Sequence, residues 1–249
     1  MPIHLSLLIQ IWDPQRLPRN KKPGGARQLH QRVKSAKGRK LSSTRWLERQ
    51  LNDPYVAAAK AAGYRSRAAF KLEEMDDRFR FLGRHKRVLD LGAAPGAWTQ
   101  VNLARCPEGT VFAVDINEMD QIAGAEVVQL DVFAEDAVAI LSDLISGQID
   151  VVQSDMAAPA TGHPQTDHLR IMALCEAALD LGSYFLAPGG TFVAKVLQGG
   201  AERDLLVTMK RDFEDVKHFK PKASRSGSAE MYVVAMGYRG APREELNAE

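Results

Sequence analysis

From Trp46 onward apolar residues recur at helical spacing. The repeat predicts one helix over residues 46–62 and a second over Arg67–Leu82, RAAFKLEEMDDRFRFL. Then the period changes, and short apolar runs alternate with helical stretches. Arg87–Gly92 (RVLDLG) predicts a short buried strand, followed by a Gly/Pro turn and a helix from about Trp98. Further strands are predicted at 110–116, 125–132, 149–155 and 191–197, with helices at about 134–146, 166–187 and 201–212 between them. Two closing strands, near 215–220 and 230–238, have only a short Lys/Ser/Gly link between them. Strands alternating with helices specify an α/β domain with a mostly parallel sheet, seven-stranded on this reading, with helices on both faces. The direct strand-to-strand link adds one antiparallel strand near the C-terminus.

The segment before Trp46 reads differently. Residues 1–13 are apolar but lack the charged n-region and small-residue cleavage site of a signal peptide, so they read as a short extension. Residues 14–45 hold eleven Lys and Arg and no Asp or Glu, which leaves 22 basic against 31 acidic residues elsewhere, a net charge of −9. The overall +2 conceals that division. Like charge mixed with Pro, Gly and Ser, without hydrophobic period, predicts a disordered basic arm over residues 1–45 that touches nucleic acid. The domain itself is then 46–240, with a short acidic tail at 241–249. No apolar run reaches the roughly 18 residues of a membrane span. Cys106 and Cys175 are too few for a disulfide framework or a four-ligand zinc site and read as small buried hydrophobes.

Val88–Trp98 (VLDLGAAPGAW) is a strand, a tight glycine turn and a helix start. Glycines there let the backbone approach a ligand at the carboxyl end of the sheet, where α/β folds bind ligands. The dinucleotide fingerprint G-x-G-x-x-G is absent; the spacing is Gly92-x-x-x-Gly96. The next strand ends in Asp115, where a carboxylate can accept both hydroxyls of an adenosine ribose. The third ends in Asp131, placed to accept from an adenine amino group. A glycine turn followed by two strand-end acids suits an adenosine ligand without phosphates, such as S-adenosylmethionine (SAM). The competing reading is an α/β domain whose strand-end Asp residues merely cap helices.

Four charged residues stand at the ends of separate elements. Lys71 lies on the helix before the sheet, Asp155 ends the fourth strand, and Glu230 opens the last one. Lys195 sits inside the apolar run TFVAKVL, where an ammonium is costly to bury unless paired. Such a lysine is either a structural ion pair or functionally tuned. His163 and His168, in the loop after the fourth strand, read as solvated. Lys220, Lys222 and Arg225 read as a surface loop or as phosphate contacts.

Several segments resemble the FtsJ-like ribose 2′-O-methyltransferases, of the bacterial large-subunit ribosomal RNA type: Ser66–Leu72 (SRAAFKL), Asp90–Trp98 (DLGAAPGAW), Ser154–Ala157 (SDMA), Lys195-Val196 and Glu230–Tyr232 (EMY). They run in the family's order from about Tyr64 to Tyr238. The resemblance implies a Rossmann-like SAM-dependent methyltransferase fold. It also implies a catalytic Lys-Asp-Lys-Glu tetrad, falling on Lys71, Asp155, Lys195 and Glu230, and SAM contacts at Gly96, Trp98, Asp115, Asp131 and Asp155. Ala97 stands where many members have a second glycine, and Leu197 where many have Phe; neither removes a polar group.

In that family reading, Lys195 accepts the proton of the ribose 2′-hydroxyl, Asp155 aligns it, and Lys71 and Glu230 position the ribose and the lysine. Much of the rate comes from holding methyl, sulfur and 2′-oxygen in line. The implied substrate is a uridine of 23S rRNA in the large ribosomal subunit, with transfer RNA as the alternative. A cytoplasmic monomer without metal or membrane is expected. Two other classes remain. A Rossmann oxidoreductase lacks its glycine fingerprint and leaves Lys195 unexplained, and a silent RNA-binding module predicts the loss of a tetrad residue.

Overall fold

The computed structural model describes residues 41–198 and 202–240. Three helices come first: α1 (Leu41–Leu51), α2 (Pro54–Ala62) and α3 (Ala69–Phe79). Strands and helices then alternate as β1 (Arg87–Leu91), α4 (Ala97–Arg105), β2 (Thr110–Asp115), β3 (Ala125–Gln129), α5 (Ala137–Leu144) and β4 (Ile149–Ser154). The chain continues through α6 (Pro164–Ser183), β5 (Leu186–Leu197), α7 (Glu202–Asp212), β6 (Phe213–Phe219) and β7 (Glu230–Tyr238).

One sequence expectation fails at the start. Residues 46–62 are not one helix, because Asn52-Asp53-Pro54 breaks it. Pro54 has no N–H to continue the ladder and takes the first position of α2, while the Asp53 carboxylate accepts from Tyr55 N at 3.0 Å as the N-cap. Helix α1 also begins at Leu41, inside the segment assigned to the basic arm; the rest of that arm and the acidic tail lie outside the described residues. Strand β3 stops at Gln129, so Asp131 lies beyond the strand rather than at its end. The other elements fall near their predicted positions.

The seven strands form one sheet in the order β3-β2-β1-β4-β5-β7-β6. All neighbours from β3 to β5 pair parallel, and β7 runs antiparallel to both β5 and β6. That is the mostly parallel sheet with one reversed strand that the element pattern specifies. Helices cover both faces. One apolar layer joins α3 and α4 to the sheet through Leu72, Met75, Trp98, Val101, Val88, Val193 and Tyr232. The other joins α5, α6 and α7 through Leu141, Met172, Leu179, Met209, Leu89, Val152 and Phe192. Covered on both sides, β1 and β4 are buried along nearly their whole length rather than at alternate residues. Two consequences matter for function. The carboxyl ends of β1, β2 and β4 converge on one edge, and α3 lies on the sheet face that carries Lys195 and Tyr232.

Candidate active site

In the antiparallel pair β5·β7, Lys195 stands opposite Tyr232 and Leu197 opposite Glu230. Directly opposed residues share a sheet face, and residues two apart on a strand do too. Lys195, Tyr232 and Glu230 therefore project from the same face, the one on which α3 packs and brings Lys71. Asp155 reaches the group from the turn that follows β4.

These side chains form one hydrogen-bonded cluster. Lys195 Nζ lies 2.7 Å from Asp155 Oδ1 and donates to the Asp155 backbone carbonyl at 2.7 Å. The Tyr232 hydroxyl donates to the same Oδ1 at 2.6 Å. Lys71 Nζ donates to Glu230 Oε2 and to the Tyr232 oxygen, each at 3.0 Å, and stands 3.8 Å from Asp155 Oδ2. Ser224 Oγ donates to Glu230 Oε1 at 2.7 Å. Lys195 is 9% exposed, so its ammonium is nearly withdrawn from solvent and balanced by the carboxylate beside it. Burial opposes ionisation of Asp155, but Lys195 and Lys71 outweigh it and hold the carboxyl below its usual range. Burial and the two neighbouring carboxylates push the Tyr232 phenol far up, so it stays protonated and donates. The resulting arrangement holds one primary amine against a carboxylate, on a turn that packs against the glycine turn.

The crevice opens beside the glycine turn. A cavity of about 400 Å³ is lined by Asp115, the loop residues Asn117–Gln121 and Val127–Gln129 of β3. Asp115 pins the turn, accepting from Ala94 N at 2.9 Å on Oδ2 and from Asn117 N at 2.8 Å on Oδ1. Gly96 caps α4 at φ 103°, and a Cβ there would come within 2.5 Å of Ile122 Cδ1. A Cβ on Gly92, at φ 75°, would meet Met156 Cγ at 2.4 Å, so the cofactor turn and the turn bearing Asp155 touch at a point only glycine permits. Exposed Asp131 adjoins Asp115 through the Leu130 N to Asp115 carbonyl bond of 2.9 Å. Two large apolar side chains, Ile116 and Phe133, stand exposed next to these acids. Carboxylate acceptors flanked by apolar surface form an acceptor set that fits a purine nucleoside.

The Trp98 indole faces inward. It is 2% exposed, donates Nε1–H to the Ala68 carbonyl at 2.9 Å and packs against Tyr232 at 5.7 Å between ring centroids. The ring belongs to the layer under the charged cluster, and the Trp98 main chain lies in the first turn of α4. Tyr232 joins the cluster although the sequence reading gave it no role; its position two residues after Glu230 was the available signal. His163 caps α6 and lies outside the cluster. Lys220 and Arg225 face protein groups, the Ser228 carbonyl at 2.6 Å and Asp53 at 3.7 Å. Among the described residues no group of three or more His, Cys, Asp or Glu could hold a metal ion, and no helix is long and apolar enough to cross a membrane.

The sheet order, the glycine turn and the charged cluster together define a Rossmann-like methyltransferase. A family model, FtsJ-like methyltransferase, matches residues 64–238, and the chain belongs to that family. It is 56% identical over 235 residues to Ribosomal RNA large subunit methyltransferase E of Parvibaculum lavamentivorans, covering 90% of this chain and 92% of that protein. The protein of that name from Paramagnetospirillum magneticum is 57% identical over 223 residues, covering 87% of this chain and 91% of the relative. Among solved structures, a putative ribosomal RNA methyltransferase from Plasmodium falciparum superposes with a TM-score of 0.65 at 30% identity, over 71% of this chain and 100% of that one.

Proposed function

We propose that this enzyme transfers the methyl group of S-adenosylmethionine to the ribose 2′-hydroxyl of a uridine in 23S rRNA of the large ribosomal subunit, acting in the cytoplasm. The observation that carries the reading is Lys195, a nearly buried amine held by Asp155, whose turn packs against the glycine turn that Asp115 of the crevice pins. When bound, the cofactor supplies a methyl group on a positively charged sulfur. Asp115 and Asp131 would accept from its ribose and adenine, Ile116 and Phe133 would flank the base, and the main chain at Gly96 and Trp98 would border it. Asp155 would offer its second carboxylate oxygen to the positive charge of the sulfonium.

The protein's task at the other reactant is to remove a proton from a poor nucleophile. With its amine in the neutral form, Lys195 takes the 2′-hydroxyl proton on Nζ as the oxygen attacks, and Asp155 fixes the direction of that nitrogen. Lys71 and Glu230 hold the ribose on the opposite side, Glu230 accepting from a sugar hydroxyl and Lys71 donating to the 2′-oxygen. Alignment of oxygen, methyl and sulfur accounts for much of the remaining barrier. Both named relatives are enzymes of large-subunit ribosomal RNA, which supports that substrate over transfer RNA.

The test is a map of 2′-O-methyl sites in ribosomal and transfer RNA from a strain lacking the gene. One 23S position should lose its methyl group, and the wild-type gene but not Lys195→Ala should restore it. Loss confined to a transfer RNA would replace the substrate.

A further inference from the structure

Between α2 and α3 lies an arginine that the catalytic cluster does not use. Arg65 is fixed first through its backbone. The buried Gln100 of α4 accepts from Arg65 N at 2.8 Å and donates Nε2–H to the Gly63 carbonyl at 3.0 Å. From that anchored point the guanidinium makes three hydrogen bonds, all to main-chain carbonyls. Nη1 donates to Pro95 at 3.0 Å and to Asp120 at 2.8 Å, and Nη2 donates to Gln121 at 3.0 Å.

Those acceptors belong to two separate segments. Pro95 is in the glycine turn after β1, while Asp120 and Gln121 line the crevice from the loop of residues 116–124 between β2 and β3. The ends of that loop are tied to the sheet. Asn117 bonds back to Asp115, Ile116 O accepts from Gln129 Nε2 at 2.9 Å, and Ala125 N donates to Ile122 O at 3.0 Å. Its middle is held to the glycine turn by the guanidinium. Gly96 marks the meeting point, since a Cβ there would lie 3.0 Å from Arg65 Nη1 and 3.1 Å from Met119 Sδ. A guanidinium has five N–H donors in a planar fork. Here the fork is spent on bridging two backbone segments, a geometry that one ammonium cannot reproduce.

We propose that Arg65 is a positioning residue for the cofactor, latching the 116–124 loop to the turn at Pro95 and thereby setting the shape of the crevice that holds the adenosine. The proposal rests on the reading of that crevice as the cofactor site. It assigns Arg65 to cofactor affinity and not to the RNA, although an arginine at the rim of an RNA enzyme invites the other assignment.

Full-length Arg65→Ala and Arg65→Lys are compared with wild type in four measurements: SAM affinity by calorimetry, kcat at saturating SAM, affinity for undermethylated large subunits, and deuterium exchange over residues 117–122. Losing charge-assisted hydrogen bonds should weaken SAM binding about 10- to 100-fold in Arg65→Ala. At saturating SAM, kcat should stay within about twofold, the pattern of lost uniform binding, and loop exchange should quicken. Arg65→Lys keeps the charge and the stem and should still fail to restore SAM affinity. It carries the same test if Arg65→Ala unfolds. Unchanged SAM affinity with weaker subunit binding overturns the latch in favour of a phosphate contact. Asp115→Asn separates the two levels. If it too binds SAM normally, the crevice reading falls and the latch with it; if it binds weakly while both Arg65 variants bind normally, only the latch falls.

Discussion

Lys195 Nζ lies 2.7 Å from the Asp155 carboxylate and 2.7 Å from the backbone carbonyl of the same residue. Two contacts to one residue leave the amine little freedom to swing, and both come from the turn at the end of β4. That turn abuts the glycine turn through Met156 and Gly92, so the proposed proton acceptor and the proposed cofactor turn share a single support. Rigidity of this kind is what an in-line transfer requires.

Lys195→Ala should therefore lower kcat by about 100- to 10,000-fold or more, the range of a lost general base. Its SAM affinity should persist, because Nζ faces Asp155 rather than Asp115. Calorimetry with SAM and a tritium-transfer assay on large subunits separate the two effects. Substantial turnover in this variant would remove Lys195 from the role of proton acceptor.

Much of this site was legible as sequence, for reasons that individual residues make plain. Lys195 stood out because an ammonium in TFVAKVL has no cheap place to be unless it is paired. Asp115 and the Gly92–Gly96 turn were visible because strand-end chemistry is local. What stayed hidden depends on tertiary contact. How Trp98 packs is one case: its indole faces Ala68 and Tyr232 across an inter-element gap that no local pattern encodes. Arg65 looked like one more basic residue, because its partners are carbonyls, which any sequence could supply. The break at Asn52–Pro54 was readable from the Asp-Pro pair, but the apolar repeat on either side of it runs on without a gap.

Tyr232→Phe tests the residue the motif left without a role. The hydroxyl bridges Asp155 Oδ1 and Lys71 Nζ, at 2.6 and 3.0 Å. Its removal should cost about 1 kcal/mol of stability, the net value of a typical hydrogen bond, and lower kcat roughly tenfold by loosening both partners. The KM for SAM should not move. Steady-state kinetics with urea unfolding decide it, and wild-type kcat would mean the bridge only packs.

Asp115→Asn keeps the size of the side chain while replacing one acceptor oxygen by a donor. Ribose recognition should weaken by about 1.5–3 kcal/mol, the value of hydrogen bonds to a charged group. The bond from Ala94 N to Oδ2 makes Asn the cleaner substitution, since Ala would also release the turn. Calorimetric SAM titration of the folded variant is the check; wild-type affinity would locate the ribose elsewhere.

Asp90 gives a pH prediction. Its carboxyl is fully buried between Thr99, which donates to Oδ2 at 2.8 Å, and Gln153, its neighbour across β1·β4. Burial pushes it up to about 7, against the hydrogen bond from Thr99. A carboxyl raised in the folded state contributes stability that is fully present below its unfolded value near 3.9 and is lost as pH rises towards 7. The slope in that window is roughly 1.4 kcal/mol per pH unit at most. Asp90→Asn, neutral throughout, should lack this loss, so its stability relative to wild type should rise between pH 5 and pH 8. Urea unfolding at the two pH values measures the difference, and parallel behaviour of the two proteins would show Asp90 ionised in the fold.

The last prediction concerns the basic N-terminal segment. Residues 1–40 carry ten Lys and Arg against the single Asp13, while residues 41–249 have 23 basic and 30 acidic residues, a net charge of −7. An acidic body repels an RNA backbone at encounter, and a basic segment offsets that repulsion by releasing counterions, each phosphate contact adding about 0.7–0.9 to the salt slope. Such contacts position the RNA without reading its sequence. Because α1 starts at Leu41, the deletion that leaves the helical layer whole is residues 1–40, not 1–45. The truncated protein should keep its melting temperature and SAM affinity and methylate the same nucleotide. Its binding to large subunits should weaken, and log affinity against log salt should become shallower by several units, on the order of the charges removed. Salt titrations of both proteins provide the comparison. Equal slopes would make the segment a solubilising tail and move the phosphate contacts to the body, where Lys222 and the basic residues of α1 and α7 are the next to test.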